Sequence, residues 1–397
     1  MGSYAGLSIG GKALIWWKNG LSPIATSLFT KDDVLRGSGQ AGVDLIEQYR
    51  LEQYRDDYTV EDLNWEIVLA VIDIATLRQR LSIYGYNQET FDTAITELIT
   101  QQQEMLTDAD HDMKAHYKKE IETLCKIRDN SLPLRHIDHK LLEDLEIYDE
   151  LMAIWIVLQN DDIKDDDVAI IDLDDLAEGG WLDDEFSNTD STYMIPEGRF
   201  TPEVPIIITE GVSDERFLRE SLAVIYPKLV NNIRFLDSTF RPERSASSAI
   251  KMIKSFASAG ISNRTLVVLD NDAAASDAIK DLPTKMPNNI KVIQYPDLKW
   301  LENYPTIGPQ GEVFMDVNGL AGSIEMYLGK DVLLDDGGNL TRVQWRGYMD
   351  RVKKYQGSLV NKGDVQSRFD AKDKNVLEQW QDLKSVWDFI IDQLSTF

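Results

Sequence analysis

The sequence predicts an α/β protein centred on a four-stranded parallel sheet flanked by helices, with a small N-terminal β element and a helical bundle ahead of it. Three observations lead there. Short apolar runs at 205–209, 233–236, 265–269 and 290–294 alternate with helical periodicity at 215–224, 246–259 and 273–282. Such runs fit strands buried on both faces of a parallel sheet. Strands alternating with helices imply βαβ units with right-handed crossovers, which gather the loops after each strand on one edge. Two of the runs deliver carboxylates to that edge, as Glu210-Gly211-Val212-Ser213-Asp214 and Asp270-Asn271-Asp272.

Taken in order, residues 1–42 read as β-rich, with runs at 4–9 and 12–18 separated by the hairpin signal Gly10-Gly11. Trp16 and Trp17 are expected to pack against the next domain. Residues 43–160 read as helical, at 63–84, 88–106, 118–129 and 140–159, and short loops predict an antiparallel bundle. Residues 161–200 read as an acidic connector, since about a dozen acidic residues accompany one lysine between 161 and 185. Val168 to Ile171 and Trp181-Leu182 interrupt it and are expected to dock on a neighbour. The sheet domain occupies 201–300. A helical extension, 301–397, follows, with Ser323 placed to cap a helix, a loop or short hairpin at 355–362, and an amphipathic helix at 376–394 suited to packing on the sheet or to self-association.

A chain of 397 residues suggests about two or three domains. Its 43% hydrophobic content excludes global disorder. No run of about 18 apolar residues occurs and no signal peptide opens the chain, so a cytoplasmic protein without a membrane partner is expected. Cys125 is the single cysteine, which forbids an internal disulfide and a cysteine-based zinc site. A net charge of −27 argues against a large surface that coats nucleic acid, yet leaves room for a nuclease with a local basic track and metal ions.

In an extended segment residues i and i+2 point the same way, so Asp270 and Asp272 can face one ion while Asn271 points aside. Mg²⁺ takes oxygen ligands, commonly one or two carboxylates with water and phosphate oxygens. A glutamate beside it serves as ligand or general base, and the sequence does not choose between them. Asp-x-Asp alone is also a common helix cap. The joint pattern is more specific.

That pattern resembles the Toprim fold of topoisomerases, primases and OLD-type nucleases, and Ser213-Asp214-Glu215-Arg216 continues it in the manner of OLD-like nucleases. Many members have Gly where Ala273 stands. The resemblance implies Mg²⁺ or Mn²⁺ held by Glu210, Asp214, Asp270 and Asp272, with Glu325 as a further metal carboxylate and Lys362 as a charge-stabilising catalytic residue. Glu325 also reads as a helix first-turn residue favoured by the dipole. Upstream, MGSYAGLSIGG, SLFT at 27–30 and RQRLSIYGY at 78–86 resemble HEPN/Toprim-associated proteins. The Arg-to-His spacing of HEPN ribonucleases is broken here, because Arg128 and His136 lie too far apart and Arg135 and His139 too close. His136, Asp138 and His139 form an alternative metal face or a polar helix start.

The resemblance implies a metal-dependent Toprim nuclease of DNA or RNA in bacterial anti-phage, abortive-infection defence. An RNase acting on tRNA and a non-catalytic sensor or scaffold remain alternatives. No phosphate-binding Gly-x-x-x-x-Gly-Lys-Ser/Thr motif occurs, so a partner ATPase would be a separate chain. A homo-oligomer is compatible with the last helix.

Overall fold

The computed structural model describes residues 2–22, 27–49, 65–111, 113–137, 139–144, 150–182, 204–237 and 245–396. They form two compact units, Met1–Pro202 and Glu203–Phe397.

In the first unit, β1 (Tyr4–Ile9), β2 (Lys12–Lys18), β3 (Val34–Ser38), β4 (Glu66–Asp73) and β5 (Val168–Asp172) form an antiparallel sheet in the order β2-β1-β5-β4-β3. The N-terminal β element is therefore part of a larger sheet. Along β4 the side chains alternate: Val68, Ala70 and Ile72 enter the main core beneath the helices, while Ile67 and Leu69 pack with Ile46 of the helix Gln40–Tyr49 on the opposite face. Burial on both faces requires a continuous apolar run, and periodicity cannot tell such a run from a buried helix. The helix expected over 63–84 is thus corrected: within the described residues it is β4 followed by the helix Ile74–Ile83.

The acidic connector expected over 161–200 is corrected for the same reason within 161–182, and the rest of it lies outside the described residues. Its Val168–Asp172 stretch is β5, the central strand, which pairs with both β1 and β4. Asp161, Asp162, Asp165 and Asp166 ahead of it decorate turns, while Ala169 and Ile171 fill the core. Helices Gln88–Asp108, Met113–Arg128 and Glu150–Leu158 contribute to that core, the last with every residue after Glu150 buried. The bundle expected over 43–160 is therefore helices laid on a sheet. Of the tryptophan pair, Trp17 enters the core of its own unit and Trp16 is exposed.

Two sequence motifs meet inside this unit. Arg80 donates from Nη1 to Asp33 Oδ2 at 2.6 Å and to the Leu28 carbonyl at 2.5 Å, and both charged groups are buried. Asp33 Oδ2 also accepts the Thr30 amide. The turn at 27–33 and the helix Ile74–Ile83 are thereby locked by one ion pair that neither could bury alone.

In the second unit β6 (Ile206–Thr209), β7 (Arg234–Phe235), β8 (Thr265–Leu269) and β10 (Ile290–Gln294) form a wholly parallel sheet in the order β10-β8-β6-β7. Ile208, Val267 and Leu269 pack with Ala249, Ile250 and Ile253 of the helix Ala246–Ala259 on one face. The helix Val212–Ile225 also packs in this unit, and the C-terminal helix Gln381–Ser395 docks on it through Trp387, whose Nε1 donates to the buried Ser221 hydroxyl at 2.9 Å. The last helix is thus built into this unit. The parallel sheet and its helices match the sequence expectation.

The extension after 300 is not simply helical. After the short β9 (Asn271–Asp272) in the sheet unit, β11 (Tyr304–Gly308), β12 (Gly311–Met315), β14 (Val343–Met349) and β15 (Lys354–Leu359) make a second sheet in the order β12-β11-β14-β15. Between them β13 (Ala321–Gly322) pairs with β9, which carries the extension to the carboxylate edge. Gly322 permits this approach, since a Cβ there would lie 2.8 Å from the Asn271 carbonyl oxygen. Among the described residues no helix is long and apolar enough to cross a membrane.

Candidate metal centre

Two carboxylates of the site are delivered by the ends of parallel strands. Glu210 follows β6, and Gly211 begins the helix whose first turn carries Asp214. Asp270 follows β8. Glu210 Oε1 accepts the Asp270 amide at 2.9 Å, which ties the two strand ends together. Asp270 Oδ1 accepts the Ile324 amide at 3.2 Å, so the turn Ile324–Tyr327 closes over the same edge.

Glu325 lies in that turn and is 2% exposed. Its oxygens accept from Lys362 Nζ at 2.9 Å and Gln366 Nε2 at 3.1 Å. Lys362, expected in a loop, is instead the first residue of the helix Lys362–Asp370. The 3₁₀ turn begins at Ser323 without a side-chain cap, so the helix-capping expectation there is not met.

Asp272 behaves differently. Its Oδ1 caps the helix Ala273–Ile279 by accepting the Ala275 amide at 2.8 Å, and its Oδ2 accepts from Gln356 Nε2 at 2.8 Å. Asn271 is turned to Asp297 by a 2.8 Å hydrogen bond. The capping role that Asp-x-Asp can have is therefore present here for its second aspartate. Each carboxylate oxygen has a second lone pair, so the cap does not exhaust Asp272.

Electrostatically the group is strained in the absence of a cation. Burial pushes Glu210 up to about 7, opposed by the Asp270 amide and reinforced by Asp272 and Asp214. Burial and then Glu325 push Asp214 up to about 6. Asp270 is held well above the carboxylate range by burial and by Glu210, Asp214 and Asp272. Glu325 goes the other way: burial opposes its charge, but the Lys362 ammonium overcomes this and holds it below the usual value. Lys362 is raised in turn, with Glu325, Asp270 and Asp214 outweighing its burial.

Whether these residues fit a divalent ion is tested by their unmet bonding. Asp214 is 7% exposed, and its Oδ1 has no hydrogen-bond partner among the described residues. A buried oxygen left so is costly unless a ligand completes it. Among the described residues no three His, Cys, Asp or Glu side chains already stand in metal-holding geometry. Mg²⁺ asks for less than that, because water and phosphate oxygens supply most of its shell. The all-oxygen donor set and the unpartnered Asp214 Oδ1 fit such an ion.

Sequence reading missed Tyr295 and Gln356. Tyr295 follows β10 at the same sheet edge, is 2% exposed, and its hydroxyl lacks a partner among the described residues. Burial, then Asp214, Asp270 and Glu210, hold that phenol well above its ordinary value, so it remains a donor. Its position after a parallel strand was the available signal. Gln356 carried none, because its partner lies 84 residues away. The alternative metal face at 136–139 is not assembled in view: His136 is exposed, while Asp138 and the His139 side chain lie outside the described residues.

Residues 1–192 match the family model described as HEPN/Toprim N-terminal domain 1. That match supports a HEPN/Toprim-associated protein. The matched span includes all of β1 to β5, so the sheet and its helices are the family's N-terminal domain. That family's description points to a nuclease-associated function. Neither the curated proteins nor the solved structures return a match.

Proposed function

We propose that this HEPN/Toprim-associated protein is a Toprim-type endonuclease that cleaves phosphodiester bonds of DNA or RNA with Mg²⁺ or Mn²⁺, acting in the cytoplasm in anti-phage, abortive-infection defence. The observation that carries the reading is the cluster at one sheet edge of Glu210, Asp214 and Asp270, whose negative charges are disfavoured until a cation joins them. Glu210, Asp214, Asp270, Asp272 and Glu325 would hold the ion. When bound, it would activate water and neutralise charge on the phosphoryl group. The chain's own groups have narrower tasks: Glu210 accepts a proton from the attacking water, Lys362 balances charge developing on phosphate oxygens, and Gln356 and the Asp270 amide hold the carboxylates in register.

Plasmid and tRNA nicking with Mn²⁺ tests this. Glu210→Gln and Asp270→Asn should abolish cleavage while melting at or above the wild-type temperature in EDTA, because each removes like-charge repulsion. Cleavage that persists in both variants sinks the nuclease reading. A second reading, a non-catalytic subunit serving a separate ATPase, is favoured by both Asp272 oxygens already accepting hydrogen bonds within the chain. It predicts no nicking and no Mn²⁺-dependent rise in melting temperature.

A further inference from the structure

We propose that the β14–β15 hairpin is a platform for the unpaired bases of a single nucleic-acid strand, an inference that rests on the phosphodiester chemistry proposed above. The hairpin carries a ladder of rings. Tyr348 and Tyr355 are direct cross-strand partners with ring centroids 5.0 Å apart, and Trp345 stands 6.3 Å from Tyr355. Tyr348 is 49% exposed and Tyr355 57%, so the ladder is not core. A contiguous exposed aromatic row marks an interaction surface.

Charge selects the partner. Between 342 and 354 the hairpin carries Arg342, Arg346, Arg351, Lys353 and Lys354 against Asp350 alone, in a chain of net charge −27. Arg342, Arg351 and Lys353 lie in exposed ion pairs with Glu312, Asp281 and Asp350, which are weak in water and open to exchange for phosphate. Arg346 meets the Ser358 hydroxyl, and Lys354 has no ion pair among the described residues. Rings for base faces interleaved with cations for phosphates are what binds single strands, whereas a duplex hides its base faces.

The ladder also adjoins the carboxylates. Tyr355 is followed by Gln356, which holds Asp272 and accepts the Ala274 amide at 2.8 Å. Side chains alternate along a strand, so the rings lie on one side of the edge strand β15 and Gln356 on the other. A strand seated on the rings reaches the metal centre by passing over that edge.

Fluorescence anisotropy of the full chain in EDTA, with labelled oligothymidylate, oligouridylate and a duplex of equal length, tests binding apart from cleavage. Expected are tighter binding of a single strand than of the duplex, a loss of about tenfold or more in Tyr355→Ala and in Tyr348→Ala, and retention in Tyr355→Phe, with unchanged circular dichroism. Unaltered affinity in both alanine variants overturns the proposal, as does equal or tighter duplex binding. So does a wild-type dimer that Tyr355→Ala converts to monomer without loss of binding, which would make the ladder a self-association face. Loss of nicking with ladder binding intact rejects the nuclease reading alone; intact nicking with no ladder effect rejects the platform alone.

Discussion

Glu210 holds a proton in the cation-free fold at a pH where an unfolded glutamate has lost it, because burial carries it from 4.5 to about 7. Asp214 moves in the same direction, from 3.8 to about 6. A raised folded-state value means the native state binds protons more tightly than the unfolded chain. The stability this contributes is therefore complete below the unfolded values and is lost as pH rises through the folded ones. In EDTA the melting temperature should fall by several degrees between about pH 5 and pH 8. Glu210→Gln should flatten part of that fall, and Mn²⁺ should raise the melting temperature more at pH 8 than at pH 5, since the ion needs ionised ligands. A melting temperature that rises with pH in EDTA contradicts the assignment of these shifts. Glu325 escapes the pattern for a simple reason: Lys362 accompanies it at 2.9 Å.

At the scale of elements, the helix Ala273–Ile279 separates two roles of one side chain. Asp272 caps it and also faces Gln356, so removing the carboxylate removes both a cap and a charge. Asn caps as well as Asp does. Asp272→Asn should therefore keep wild-type stability in EDTA within about 0.5 kcal/mol, while Asp272→Ala should lose about 1 kcal/mol. Chemical denaturation of both variants measures this, and cleavage lost in both would assign the charge to the reaction. Equal stability of the two variants would mean that the cap contributes nothing. The elements around this helix were legible because a parallel strand must be apolar throughout and a helix must repeat near 3.6. β6, β8 and the helix Ala246–Ala259 obey those demands in their residues alone, while the edge strand β10 carries Lys291 and Gln294.

At the scale of the whole molecule, β5 and Leu173, within the acidic stretch beyond 160, belong to the first unit's core. Ile171 lies on the central strand β5 and is fully buried beneath the helices. Ile171→Ala should cost about 2–5 kcal/mol by the cavity it leaves, measured by denaturant unfolding. A connector would tolerate the change with no measurable loss. The sequence by itself determined the parallel sheet, its order of strands and helices along the chain, and the delivery of Glu210, Asp214, Asp270 and Asp272 to strand ends, because these follow from local periodicity and from the geometry of βαβ units. It also carried, in the segments 27–30 and 78–86, the Leu28 carbonyl and the Arg80 guanidinium that meet in the fold, without saying that they touch. Only the tertiary structure decided that β4 is a strand and that β5 sits at the centre of a sheet, since both are buried on two faces by partners distant in the chain. It alone joined Glu325 to Lys362 and Asp272 to Gln356, because a hydrogen bond between residues 37 or 84 positions apart leaves no periodic trace in either segment.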